Sequence, residues 1–373
     1  MSTTTDSVLL VGSVPLPTVE EVFRACAQSL REFASAYPDG EVGDRRYWTF
    51  YLPTRTYSVH PDLEAVSSPP DGRIQQPGPD ASKEEWDRSW WTFRLRTGVT
   101  SLTFAGLGYA DEARRSYEVF IRLRAEGELP PHARFQVSLP TTGSAVMNFF
   151  VEPRDWLIVY DAYRRAIRRE VAEIAASIPS EDLVIQWDSA TEVRDILLGD
   201  SPALTWSPGA SVEEKWERHL GEMDQLSGAV PESVPLGYHF CFGTWGGWPA
   251  GTAQDMAVCV RLANEAVRRA GRRVDYVHMP VMPDADAEYF SPLQELAIGD
   301  TKVYLGIVLD DGVPAFERRA KAAQRYLPEF GIASYCGWGR EEHTKLPRIL
   351  GNLRACAVRF AEGDAAQTNT RAS

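Results

Sequence analysis

His239 and Cys241 stand two positions apart in LGYHFCFG, residues 236–243, and Cys336 lies further on in SYCGWGR. Imidazole and thiolate are the ligands that zinc prefers, at ~2.0–2.3 Å. Side chains two apart on a β-strand share a face, so His239 and Cys241 project to one side and Phe240 to the other. A histidine and a cysteine also occur in core strands without any metal, so the spacing alone is a short signal. Cys336 extends it, because it closes another apolar run immediately before Gly337. Asp188 ends the apolar stretch LVIQWD (183–188), and a carboxylate there must be paired or face an opening. His278 in VDYVHMPV (274–281), and Gly12 with Ser13 after the first apolar run, complete the polar groups near strand ends.

Groups scattered this widely meet only if the elements bearing them share one edge. Short apolar runs recur along the chain: SVLLVG (7–12), RFQVSLP (134–140), LVIQWD, LGYHFCFG, VDYVHMPV, VYLGIVLD (303–310) and GIASYCG (331–337). Segments of helical period lie between them. In DWLIVYDAYRRAIRREVAEIAASI, for example, Leu157, Tyr160, Tyr163, Ile167, Val171 and Ile174 fall three or four apart. Strand then helix, repeated, implies parallel strands joined by crossover helices. An eighth strand is expected in VTSLTFAGL (99–107), and eight close a single (β/α)8 TIM barrel, whose catalytic groups collect at the C-terminal strand ends. The competing doubly wound sheet lacks its commonest signature, since no GxGxxG follows the first strand.

The barrel is expected to span 1–363, with 364–373 as a disordered tail. Residues 38–98 break the rhythm with prolines, glycines and the tryptophans Trp48, Trp86, Trp90 and Trp91. They form either a cover over the barrel mouth or an insertion with its own small core. A net charge of -13 disfavours a phosphate backbone, so nucleic acid is not an expected partner. The start, MSTTTDSVLLVGSVPLP, has no basic segment ahead of a long apolar run, which points away from a signal peptide or membrane span and towards a cytoplasmic protein. Five cysteines, an odd number, argue for reduced thiols, with Cys26, Cys259 and Cys356 as small hydrophobes on helices.

HFC on one strand, CG ending the last, IQWD on a middle strand and VGS ending the first together resemble cobalamin-independent methionine synthase. The likeness is to the catalytic barrel of that family, within the superfamily that includes uroporphyrinogen decarboxylase, and this chain would be a divergent member. The resemblance implies zinc on His239, Cys241 and Cys336, a substrate amine on Asp188, and a substrate carboxylate at Gly12 and Ser13. The family's zinc-binding glutamate closes the strand read here as VDYVHMPV, where His278 stands nearest; it is expected as a fourth ligand or a proton acceptor. The family's QxDEP is QWDSA here, which suggests a different substrate.

The expected activity is therefore zinc-dependent methyl or alkyl transfer to a small-molecule thiol, with Asp188 and His278 catalytic. A folate-type methyl donor is one candidate, its planar ring stacked on tryptophans such as Trp48, with Arg45 and Arg46 also binding substrate. Two alternatives stay open. One is a metal-independent lyase or decarboxylase of a small carboxylated substrate, with Arg45, Arg46 and Arg340 as anion clamps and Asp188 or His278 as acid or base. The other is a metal-binding barrel without catalysis.

Overall fold

A computed structural model of the chain describes residues 6–72, 82–150, 152–199, 210–245 and 247–371. Eight strands run parallel: β1 (Val8–Leu9), β2 (Ala36–Pro38), β3 (Arg134–Pro140), β4 (Leu183–Ser189), β5 (Leu236–Phe240), β6 (Tyr276–Pro280), β7 (Lys302–Val308) and β8 (Gly331–Ser334). They are ordered β1-β8-β7-β6-β5-β4-β3-β2, so β1 and β2 are the two ends of one sheet. Val8 N–H donates to Phe33 O at 3.0 Å and Val14 N–H to Gly40 O at 2.9 Å, which ties β1 to the chain on either side of β2. The result is a nearly closed (β/α)8 barrel.

The main outer helices are α1 (Val19–Leu30), α2 (Tyr109–Ala125), α3 (Pro153–Ser177), α4 (Thr191–Leu197), α5 (Val212–Ser227), α6 (Ala257–Arg269), α7 (Val313–Ala323) and α8 (Leu346–Arg371). Thr18 with Glu21 and Ser211 with Glu214 form reciprocal capping boxes that start α1 and α5. Helix α1 buries Val22, Phe23, Cys26, Ala27 and Leu30, a stripe of helical period turned to the strands. In α3 the expected stripe is buried from Tyr160 to Ile174, but Leu157 is 83% exposed, because it falls on the solvent face with Asp161 and Arg165 while Asp155 and Val159 on either side of it are buried. Cys26, Cys259 and Cys356 are buried and unbridged, as expected of small helical hydrophobes.

Two expectations need correction. The stretch 99–107 forms no strand; the second stave is Ala36–Pro38, three residues long and paired with β3. The aromatic-rich excursion therefore follows β2 and leaves from the C-terminal end of the barrel. It carries an antiparallel pair, Leu63–Ser67 with Thr92–Leu95, which touches the barrel through a bridge from Phe93 to Phe150. Helix α8 runs on to Arg371, so helix occupies most of the segment expected to be a disordered tail.

Leu9, Val11, Val184, Tyr276, Tyr304 and Ala333 fill the lumen, while a larger apolar layer separates strands from helices. Above the lumen plug, Gln186 Nε2 donates to Val11 O at 2.7 Å and to Asp188 Oδ1 at 2.8 Å, and its Oε1 accepts from Tyr276 Oη at 3.0 Å. This buried amide joins β1, β4 and β6 just beneath the strand ends. Among the described residues no helix is long and apolar enough to cross a membrane.

Candidate metal centre and its cavity

Strand register sets the centre. Asp188 pairs with His239 across β4 and β5, and His239 with His278 across β5 and β6, so the three lie side by side at one level. Cys241 follows β5 directly, its N–H bonded to Ser189 O at 2.9 Å, and Cys336 lies just past β8. The ligand atoms of His239, Cys241 and Cys336 all lie within 4.8 Å of one another. Cys241 Sγ and Cys336 Sγ are 3.4 Å apart, and Cys336 Sγ is 3.6 Å from His239 Nε2. Tetrahedral zinc with bonds of ~2.0–2.3 Å needs ligand separations of roughly 3.5–3.8 Å. The donor set fits, and it supplies three ligands, the number that leaves a catalytic zinc one open position.

Hydrogen bonding fixes which imidazole nitrogen is bare. His278 Nε2 lies 3.0 Å from Ser334 O, a carbonyl that can only accept, so Nε2 carries the proton. The Nδ1 atoms of His278 and His239 are 2.7 Å apart. Burial pushes both imidazoles to lower pKa, His278 to about 3, so both rings are neutral. His278 Nδ1 therefore accepts and His239 Nδ1–H donates, leaving the Nε2 lone pair of His239 aimed at the sulfurs. Both nitrogens of His278 are thus engaged, and it stands behind His239 instead of beside it among the groups that could hold a metal. Gly306 makes room, since a Cβ there would come 3.0 Å from His278 Nε2. His278→Ala is expected to weaken zinc binding about 10- to 100-fold while leaving stoichiometry unchanged at high metal, as judged by competition with a chelating dye.

The two sulfurs are hydrogen-bonded to each other at 3.4 Å. Cys241 is pushed down, first by the hydrogen bond with Cys336 and then by the Gly243 N–H at 3.3 Å, whereas Cys336 is pushed well up by the same hydrogen bond and by burial.

Asp188 is buried, and burial followed by the charge of Glu41 drives its carboxyl well above the usual range, against the pull of Gln186. Glu41 rises to about 8, chiefly through burial, with Arg45 opposing and Asp39 reinforcing the shift. Ser13 and Gly12 line the same cavity, and Ser13 Oγ accepts from Gly339 N–H at 3.2 Å. The β1 end and the loop after β8 pack so closely that a Cβ on Gly337 would lie 2.5 Å from Ser13 Oγ.

The cavity has a volume of about 570 Å³. Its wall includes Arg46, Trp48, Phe50, Ser67, Trp90 and Thr92, all from the excursion after β2, so this segment forms part of the cavity wall. Phe50, Trp90 and Trp245 meet edge to face, with ring centroids 4.7–4.9 Å apart. Trp48 and Glu41 hold positive φ, 63° and 51°, a conformation that costs a non-glycine residue on the order of 1–3 kcal/mol and tends to cluster at ligand sites. Arg45 does not line this cavity: its guanidinium is buried against Asp39 at 2.8 Å. Arg46 does line it, with Nε and Nη2 donating to Gly339 O (2.6 Å) and Glu341 O (2.9 Å). Trp91 stacks on Phe93 outside the cavity lining. The side chain of Trp86 lies outside the described residues.

Glu41, Arg194, Thr244 and Trp245 also line the cavity and were not picked out from sequence. Glu41 was hidden because its strand is so short; the pair Gly40–Glu41 directly after it, where a chain must turn, was the available signal. His219 is buried against Asp195 at 3.0 Å, away from the cavity.

No protein-family model matches the sequence, and no curated protein matches it either. Among solved structures, the fold is similar to a protein of Listeria monocytogenes provisionally described as a vitamin-B12 independent methionine synthase. The two share 13% identity over 92% of this chain and 86% of that one, with a TM-score of 0.54. The CcCel6A catalytic domain complexed with p-nitrophenyl beta-D-cellotrioside (14% identity, 52% and 58% covered) overlaps at a TM-score of 0.28. An old yellow enzyme homologue from Zymomonas mobilis (10% identity, 84% and 88% covered) overlaps at 0.34. Neither of these two carries weight; the Listeria likeness is one of fold.

Proposed function

We propose that the chain is a zinc-dependent transferase that moves a methyl or other alkyl group onto a small-molecule thiol. The observation that carries this reading is the convergence of His239 Nε2, Cys241 Sγ and Cys336 Sγ within 4.8 Å on the wall of a cavity large enough for two substrates. Zinc on these three atoms would supply a Lewis acid that favours the thiolate form of a substrate sulfur at its open position. A free thiol is mostly protonated at neutral pH, so this supplies nucleophile that the cavity then aligns.

The chain's own groups divide the remaining work. Burial keeps His239 neutral, and its Nδ1–H is oriented by His278, which is in turn held by Ser334 O. Asp188 Oδ1 is occupied by Gln186, so the other oxygen is the one to receive the thiol proton or a substrate ammonium, with Glu41 beside it. Ser13 accepts from Gly339 and keeps its own proton to donate to a substrate carboxylate. Trp48, Phe50 and Trp90 keep water from the reacting carbon. In the transfer, the S–H proton leaves, a sulfur–carbon bond forms, and the donor's bond to that carbon breaks with its electron pair going to the leaving atom.

Cobalt(II) substitution tests this without a known donor. The cobalt protein should show a sulfur-to-metal charge-transfer band typical of two thiolates, and adding small thiols should strengthen it, whereas the matching alcohols should not. A cobalt spectrum indifferent to every thiol would contradict the proposal.

A further inference from the structure

Among the described residues Arg340 is a cation with no counter-charge in hydrogen-bond contact, the sulfurs of Cys336 and Cys241 and the Glu41 carboxyl acting on it only through space. Nη1 donates to the Thr244 hydroxyl, Nη2 lies 3.4 Å from Tyr47 O, and buried Nε has no hydrogen-bond partner among the described residues. Both partners are neutral. The guanidinium lies over the faces of Phe50 and Trp245, 5.1 and 5.5 Å from their centroids, which fixes its plane, and it lines the cavity. A charge partly withdrawn from water without a counter-charge is costly, and a planar guanidinium held against aromatic rings is prearranged for a carboxylate, sulfonate or phosphate. The other arginines expected as clamps are committed elsewhere, Arg45 to Asp39 and two N–H groups of Arg46 to backbone carbonyls. Around Arg340 the wall is aromatic: Trp48, Phe50, Trp90 and Trp245. Such a wall suits a flat apolar body, and the strained backbone of Trp48 is consistent with a side chain held there for a ligand.

We propose that the cavity selects an amphipathic organic anion, whose acid group pairs with the Arg340 guanidinium while its apolar planar body lies on the Trp48, Phe50, Trp90 and Trp245 rings. This assignment does not depend on the metal. The competing role for Arg340 is to neutralise the sulfurs of Cys241 and Cys336, and that role would give no preference for acids.

The test is calorimetric titration of the full chain with 1-naphthylacetate and with its neutral isostere 1-naphthylacetamide, each with and without a zinc chelator. The acid should bind at least about tenfold more tightly than the amide in both conditions, a difference in line with one charge-assisted hydrogen-bonded pair. In Arg340→Gln the acid should fall to within about twofold of the amide while amide binding is unchanged, which also reports an intact cavity. Arg340→Lys should retain part of the preference, and this holds the test open if the glutamine variant does not fold. Equal binding of acid and amide by the unaltered chain, no binding of either, or a preference that survives Arg340→Gln would overturn the proposal. So would a preference that vanishes with the chelator, because the acid would then be ligating metal. The cobalt spectra report the thiol chemistry separately, so either reading can fail alone.

Discussion

The zinc proposed for this centre, about one ion per chain, is expected to be lost in both Cys241→Ser and Cys336→Ser, with affinity falling at least ~100-fold. Changes behind a ligand already cost about 10- to 100-fold, and removing one of only three ligands must cost more. Serine is nearly the same size as cysteine, and Cys241 sits against backbone rather than against a tight apolar cluster, so folding should survive. Metal loss would then not be a by-product of collapse. The sulfurs also set a pH dependence. Cys336 is held well above the ordinary thiol range, so zinc must displace at least one proton near neutrality. Apparent zinc affinity should therefore rise with pH in the unaltered chain, and the rise should be shallower in either serine variant. Dialysis followed by metal analysis at two pH values checks both statements. Unchanged zinc content in the two variants would place the metal away from this centre and remove the basis for thiol activation.

Much of this centre was legible because it rests on strand periodicity. His239 and Cys241 share a face by alternation, and Asp188 and Cys336 closed apolar runs whose ends a barrel gathers at one rim. What escaped depended on groups brought in from outside that pattern. Ala36–Pro38 is too short to show alternation and ends in proline, so 99–107, longer and richer in apolar residues, was the more strand-like stretch. With β2 missed, Glu41 just beyond it was missed too. The role of His278 turned on a carbonyl, Ser334 O, that no spacing identifies. Arg45 and Arg46 are neighbours in sequence but face different partners, one the buried Asp39 and the other the loop after β8. Adjacency of charges says nothing about which of them reaches a cavity.

Glu192→Ala is expected to cost about 3–5 kcal/mol of stability, because this buried side chain gathers donors from three places at the strand ends. Oε1 accepts from Thr141 Oγ1 at 2.6 Å and Ser144 N–H at 2.8 Å, and Oε2 from Ser144 Oγ at 2.5 Å and Ser189 Oγ at 3.3 Å. Ser144 Oγ in turn accepts from Ala190 and Thr191 N–H, both at 3.1 Å, so the carboxylate fixes the turn between β4, which bears Asp188, and α4, which bears Arg194. Alanine would strand these donors in the interior, whereas Glu192→Gln keeps the volume and should cost less, about 1–2 kcal/mol. The loss should also depend on pH. Burial, followed by the charge of Glu192, pushes nearby Glu222 up to about 8. A carboxyl raised in the folded state contributes stability that is full below the unfolded value and lost as pH rises through the folded one. In the unaltered chain that loss runs from the ordinary glutamate range near 4.5 up to about 8. Removing Glu192 lets Glu222 ionise at lower pH and shrinks that loss, so the penalty of Glu192→Ala should be smaller at pH 8 than at pH 5. Urea unfolding at the two values reads the difference directly, and a penalty that grows with pH would mean that Glu192 does not act on Glu222 through its charge.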